Sequence, residues 1–208
     1  CTVSSSVTEC TISNLVNGTS YSVTVAAKNA RGYGVASASL SATPYGVAGA
    51  PTGVSGEAQS QQVVVSWLAP ASNGGSVVTG YVVTGSPSGT CSTSVLTCTV
   101  PVLTNGTSYT FTVKATNARG DSVASVASSA VIPRTTPGAP TSLVATAGDA
   151  SASVAFTPPS LTGGADITNY EYSTDNGTSW KALSPADTTS PVSISVRSDS
   201  NAALVNGT

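Results

Sequence analysis

The stretch Cys98 to Gly120, CTVPVLTNGTSYTFTVKATNARG, repeats with few changes the stretch Cys10 to Gly32, CTISNLVNGTSYSVTVAAKNARG. The start of a third copy, LVNGT, occupies Leu204 to Thr208. Repetition this close means one module used several times, and its spacing sets the module's size. Cys10 and Cys98, Leu15 and Leu103, Tyr21 and Tyr109, and Gly32 and Gly120 are each 88 positions apart. Pro51 and Pro140, Trp67 and Phe156, Gly75 and Gly164, and Tyr81 and Tyr170 are each 89 apart. A period of that length suits a sandwich-sized module and exceeds the roughly 20–50 residues of a solenoid repeat.

Within the repeat, Tyr109, Phe111, Val113 and Ala115 alternate with Thr110, Thr112, Lys114 and Thr116. That period of two marks a strand buried on one face. Tyr21, Val23, Val25 and Ala27 repeat the alternation. Asn17-Gly18 and Asn105-Gly106 precede these strands as turn dipeptides, and Asn117 to Gly120 closes the second one. The unit is therefore a turn, a long half-buried strand and another turn. Ser, Thr, Val, Ala and Gly dominate elsewhere and charged residues are only 8% of the chain, a bias toward strands and turns.

In chain order, residues 1–45 read as the back half of a module, with a short strand at Thr11 and Ile12, the long strand from Tyr21 and a final Ser/Ala-rich strand. Pro44 to Pro51 is a short Pro/Gly/Ala linker, with Tyr45 placed to wedge between modules. Residues 46–134 form a complete module. Its strands include Gln62 to Trp67, burying Val63, Val65 and Trp67, and Val78 to Thr84 around Tyr81. The Cys-bracketed segment, the Tyr109 strand and Ser125 to Val131 bring the count to about seven, with turns every 8–12 residues. Pro133 to Pro140 leads into residues 135–208, the front part of a third module. There Asn169 to Trp180 reads as a hairpin turning at Asp175-Asn176-Gly177. Lacking the Tyr-bearing strand, that module is expected not to close its sandwich alone. The 208 residues read as an excerpt of a longer array.

Four cysteines form two local pairs, Cys1 with Cys10 and Cys91 with Cys98, at equivalent places in successive modules. Local pairing without another ligand type points to disulfides, and through them to a secreted or surface location. Zinc is the rival reading, but it takes four Cys, His or carboxylate ligands, and the chain has no His. A net charge of −2 gives no clustered basic surface for nucleic acid. The apolar runs are too short to span a bilayer.

Pro51, Trp67, Pro70, Gly74-Gly75, Gly80-Tyr81, Leu103, Asn105-Gly106-Thr107, Tyr109 and Asn117 to Gly120 together resemble fibronectin type III modules, in a style that looks bacterial. The resemblance covers essentially the whole chain. It implies an all-β fold of tandem immunoglobulin-like sandwiches, one complete and two partial, with three strands facing four. It makes Trp67 and Tyr81 core aromatics, and pairs Leu103 with Tyr109 in a tyrosine corner. Members of this family serve as spacers, adhesins, receptor ectodomains, accessory regions of glycan-degrading enzymes and phage decorations.

Arg119-Gly120-Asp121-Ser122 lies between the last two strands, where the family's integrin-binding module carries an adhesion loop. The first copy has Arg31-Gly32-Tyr33 there, so only Asp121 is new to the framework. The Asn-Gly-Thr triplets at Asn17, Asn105, Asn176 and Asn206 fit both glycan acceptors and plain turns. Trp180 and Tyr172 read as cross-strand neighbours, with a sugar-stacking platform as the alternative. Catalysis has little to draw on: no His, oxidised cysteines and nine scattered carboxylates. The expectation is a non-catalytic structural or adhesive segment of a large extracellular microbial protein, without cofactor or metal. Its partners would be neighbouring modules, other copies in a filament or surface layer, and a host receptor or glycan. An accessory region of a polysaccharide-degrading enzyme, or a phage decoration, is the alternative.

Overall fold

The computed structural model describes residues 1–4 and 6–205, and every regular element among them is a β-strand. The Asn206 to Thr208 copy of the repeat lies outside the described residues. Two compact units divide the chain. The first holds Cys1–Glu57, Gln62–Leu103 and Tyr109–Val131; the second holds Ala58–Gln61, Thr104–Ser108 and Ile132–Thr208.

Unit 1 begins with four short strands: β1 (Tyr21–Val23), β2 (Lys28–Asn29), β3 (Gly32–Tyr33) and β4 (Leu40–Ala42). β1 runs antiparallel to β4, with Tyr21 opposite Ala42, and β2 pairs with β3. The strand expected at Thr11 and Ile12 is absent, and the long strand expected from Tyr21 to Ala27 stops at Val23. Both departures have one cause. Among the described residues no Trp-bearing strand or second sheet covers this copy, so its alternating side chains gain little by leaving water; Val25 is 71% exposed.

The repeat that does have such a strand forms a full sandwich. Its elements are β5 (Thr52–Gln59), β6 (Gln62–Leu68), β7 (Val78–Ser86), β8 (Thr90–Thr93), β9 (Thr97–Val100), β10 (Thr110–Asn117) and β11 (Gly120–Asp121). They make a three-stranded sheet in the order β5-β6-β9 and a four-stranded sheet in the order β11-β10-β7-β8. Val63, Val65, Trp67 and Val100 from the first sheet meet Tyr81, Val83, Phe111, Val113 and Ala115 from the second in one core. Trp67 and Tyr81 pack across it with ring centroids 5.4 Å apart. Leu103 and Tyr109 are buried in the same cluster. In the first copy, where Tyr21 stands for Tyr109, the Val16 N–H donates to the Tyr21 hydroxyl at 2.9 Å.

The strand expected over Ser125 to Val131 is not a regular ladder strand. Ser122, Ser125 and Ser128 are buried at every third position, and they meet alternate residues of β10. The N–H groups of these serines donate to Ala115, Val113 and Phe111 carbonyls at 2.8, 2.9 and 2.9 Å. In return the N–H groups of Ala115, Val113 and Phe111 donate to the three serine hydroxyls. Three residues of the last segment thus span two of β10, and each hydroxyl replaces the carbonyl that the faster advance removes. Val123 and Val126 face out, 74% and 89% exposed.

Unit 2 is built from β12 (Thr141–Gly148), β13 (Ser151–Thr157), β14 (Glu171–Tyr172), β15 (Lys181–Ala182) and β16 (Val192–Ile194). β12-β13-β16 form one sheet and β14-β15 a hairpin. Phe156 and Tyr170, at the positions of Trp67 and Tyr81, stack edge to face at 4.6 Å. Phe156, Val192 and Ile194 are buried, whereas β12 is exposed along its length.

Candidate functional site

A bonded joint forms in unit 1 where the first copy's Asn-Gly turn meets the Gly-Gly turn of the complete sandwich. Gly18 donates its N–H to the Pro44 carbonyl at 2.8 Å, tying the turn to the linker that follows. The linker is tied in turn to the sandwich: Gly46 N–H reaches the Gly74 carbonyl and Gly49 N–H the Ser72 carbonyl, each at 2.8 Å. Asn117, buried at the end of β10, completes the joint. Its amide nitrogen donates to the Gly46 carbonyl at 2.9 Å and to the Asn73 carbonyl at 2.8 Å. Its amide oxygen accepts the Arg119 N–H at 2.9 Å. Glycine is required here on two counts. Gly75 has φ +84°, and a Cβ on it would strike the backbone nitrogen of Gly18.

Unit 2 repeats the arrangement with its own residues. Gly106 N–H donates to the Pro133 carbonyl, Thr135 N–H to the Gly163 carbonyl and Gly138 N–H to the Leu161 carbonyl, all at 2.9 Å. Gly164 has φ +88°, and a Cβ there would strike the backbone nitrogen of Gly106. Pro133, Thr135, Gly138, Leu161 and Gly163 stand 89 positions after Pro44, Gly46, Gly49, Ser72 and Gly74, and Gly106 stands 88 after Gly18. The joint is therefore part of the repeat. Its glycines and Asn117 stood out in the sequence only as turn residues. The signal that they act together was the recurrence of both glycine pairs at the module period. Tyr45, expected to wedge into this region, is 51% exposed.

The other residues singled out by sequence are dispersed. Cys1 is disulfide-bonded to Cys10 and Cys91 to Cys98, with Cα separations of 6.2 and 6.3 Å. Cys91 lies on β8 and Cys98 on β9, so the second bridge links strands of different sheets. Arg119 is exposed at the turn between β10 and β11, but Ser122 is buried and Asp121 accepts the Thr116 hydroxyl at 2.7 Å. The Asp121 carboxylate thus already has a partner on its own hairpin.

In the β14-β15 hairpin, Tyr172 is paired with Lys181, not with Trp180. The Trp180 indole N–H turns back to the Gly177 carbonyl at 3.2 Å, and that bond sets its ring one residue outside the ladder. Tyr172 and Trp180 nevertheless line one cleft of about 440 Å³, together with Leu143, Val154, Phe156 and Tyr170. Its walls are apolar.

Three carboxylates of unit 2, Asp175, Asp187 and Asp199, are held by neighbours in sequence. Asp175 is lowered from 3.8 to about 2, first by the Ser179 hydroxyl, then by the Ser179 N–H and the Ser173 hydroxyl. Asp187 is lowered by the hydroxyl and N–H of Thr189, and Asp199 chiefly by Arg197 at 2.8 Å. Among the described residues no three His, Cys, Asp or Glu side chains converge as a metal site, and no helix is long and apolar enough to cross a membrane.

The fibronectin type III domain model matches residues 2–43 and 49–131. Chitinase A1 of Niallia circulans is 37% identical over 137 residues, covering 62% of this chain and 19% of that protein. The chain thus spans about a fifth of this relative's length. Among solved structures, a crystal structure of domains from titin is 30% identical, with TM-score 0.41 over 52% of this chain and 39% of the other. The chicken CNTN1 FN1–FN3 domains are 18% identical, with TM-score 0.38 over 65% and 51%. With a family model matched to both the first copy and the complete sandwich, the chain belongs to the fibronectin type III family.

Proposed function

We propose that the chain is a non-catalytic spacer segment of an extracellular protein, in which residues 1–45, 46–134 and 135–208 act as consecutive modules. The observation that carries this reading is the repeated joint. The Asn-Gly turns at Gly18 and Gly106 are each bonded to the linker after them, and each linker to a Gly-Gly turn, with the same hydrogen bonds at the same period. A chain that repeats the same bonding at its own joints has neighbouring modules as its first partners. Two local disulfides suit an oxidising compartment, and low charge leaves little surface for ionic partners. A second reading places the spacer inside a polysaccharide-degrading enzyme, and it is favoured by the 37% identity to chitinase A1. Both readings assign these residues the same mechanical task and differ in what the array carries.

The test is Gly75→Ala. Alanine at φ +84° is strained, and its methyl meets Gly18. The expected outcome is rapid proteolysis within Pro44 to Pro51 in the variant and protection in the parent, while the sandwich core keeps its near-ultraviolet signature. Equal protection in both would remove the joint as the basis of function.

A further inference from the structure

We propose that Asn176-Gly177 is a self-modification site, at which the turn converts Asn176 to aspartate and isoaspartate through a cyclic imide while Ser173 and Asp175 draw the proton from the Gly177 nitrogen. Asn-Gly dipeptides are open to this chemistry because glycine leaves its amide nitrogen unhindered. What singles out this one is the partner of that nitrogen. The Gly177 N–H donates to Ser173 Oγ at 2.7 Å, and Ser173 Oγ donates to Asp175 Oδ1 at 2.7 Å. A hydroxyl already polarised by a carboxylate is a better proton acceptor, and it can pass a proton on. Asp175 stays ionised at any neutral pH, held so by Ser179 and Ser173. Asn176 itself is exposed, has φ +56°, and its side chain makes no hydrogen bond among the described residues.

The other described Asn-Gly pairs lack this arrangement. Gly18 and Gly106 donate their N–H groups to the carbonyls of Pro44 and Pro133, which cannot relay a proton. The Asn105 amide oxygen is occupied by the Gln61 N–H at 2.8 Å. Gly74 does face a hydroxyl, that of Ser72 at 3.1 Å. It is buried, however, and the Asn73 amide oxygen is taken by the Gly75 N–H.

In the first step the Gly177 nitrogen bonds to Cγ of Asn176, and its proton moves to Ser173 Oγ as the hydroxyl proton shifts toward Asp175. The side-chain nitrogen leaves as ammonia, taking back through Asp175 and Ser173 the proton that Gly177 gave up, so that both return to their starting state. Water then adds to either imide carbonyl. Opening one C–N bond restores the main chain with aspartate; opening the other routes it through the side chain as isoaspartate. One water is consumed, one ammonia is released, and no redox change occurs. The product carries one more negative charge beside Asp175, in the turn whose Gly177 carbonyl accepts the Trp180 indole.

The experiment incubates the full chain in near-neutral buffer and follows amide-to-acid conversion at each Asn-Gly by peptide mass mapping with isoaspartate detection. Conversion at Asn176 is expected several-fold faster than at Asn17, Asn73 or Asn105. Ser173→Ala and Asp175→Asn should each slow it several-fold, and Ser173→Thr should restore it. In a Trp67→Phe background, Trp180 emission reports whether the hairpin keeps its shape in each variant. If Ser173→Ala leaves the rate unchanged or raises it, the hydroxyl is a guard and not a relay, and the proposal fails. Equal rates at all four sites would overturn it as well, and neither result bears on the joint tested by Gly75→Ala.

Discussion

Trp67 and Asn117 show how one repeat position changes its worth with its surroundings. Trp67 is buried against Tyr81, yet its indole N–H finds no acceptor among the described residues. A buried donor left without a partner costs about 1–3 kcal/mol, so the ring is kept for its bulk. The third copy places Phe156 at this position. Trp67→Phe is therefore expected to cost no more than about 1 kcal/mol, the lost volume being offset by loss of the orphan donor. Trp67→Ala should cost about 3–5 kcal/mol, as aromatic deletions in cores do. Urea unfolding of the two variants decides; similar large losses would mean that the indole N–H is satisfied after all. Asn117 makes the opposite case, since its value lies wholly in its polar atoms. Asn117→Ala strips donors from the Gly46 and Asn73 carbonyls and an acceptor from the Arg119 N–H, a loss of about 1–3 kcal/mol. Asn29, its equivalent in the first copy, is exposed and only accepts the Arg31 N–H at 2.8 Å. Asn29→Ala should then shift stability by no more than about 0.5 kcal/mol. Equal effects at the two positions would deny the joint its part in stability.

Among the elements, those with period two were open to reading and the one with period three was not. The alternation of Tyr109, Phe111, Val113 and Ala115 marks the buried face of β10 because a sheet sorts side chains by parity. The serines at 122, 125 and 128 obey no such rule. A hydroxyl standing in for a backbone carbonyl leaves a polar residue buried, which in sequence looks like a solvent face. The joint was hidden for a different reason: Asn117 meets Gly46 across 71 positions, and nothing local in either residue records the other. The first copy exposes a further limit, since an alternating pattern becomes a long strand only when a second sheet covers it, and β1 ends at Val23. The serine ladder makes its own prediction. Ser125→Ala removes the acceptor of the Val113 N–H, 2.9 Å away at a buried site, and should cost about 1–3 kcal/mol. Its equivalent Ser37 accepts the Val25 N–H at 3.1 Å in the open, where water can replace it, so Ser37→Ala should be close to neutral. Hydrogen exchange at Val113 reports the first loss directly; unchanged protection there would show that the hydroxyl is dispensable.

For the whole chain, the two units differ in how much apolar surface they bury, and that difference decides the order of unfolding. Unit 1 gathers Val63, Val65, Trp67, Val83, Phe111 and Val113 with other residues into a core closed on both faces by sheets. In unit 2 the buried apolar residues among those described are Phe156, Val192 and Ile194 with Pro133 and Pro159, while Leu143 and Val144 are 69% and 59% exposed. At about 25 cal/mol per Å² of apolar surface removed from water, a few large side chains left exposed remove several kcal/mol. That is a large part of a domain's net stability of about 5–15 kcal/mol. Unit 2 is thus expected to unfold first and separately, so that one two-state transition will not describe the chain. The two tryptophans make this measurable, because Trp67 lies in unit 1 and Trp180 in unit 2. With Trp180→Phe, emission follows only the buried Trp67 and should change at high urea. With Trp67→Phe, it follows only Trp180, which is 61% exposed, and should change at a clearly lower concentration with a smaller spectral shift. Coincident midpoints in the two variants would mean that the units stand or fall together, and would overturn the order of unfolding argued from burial.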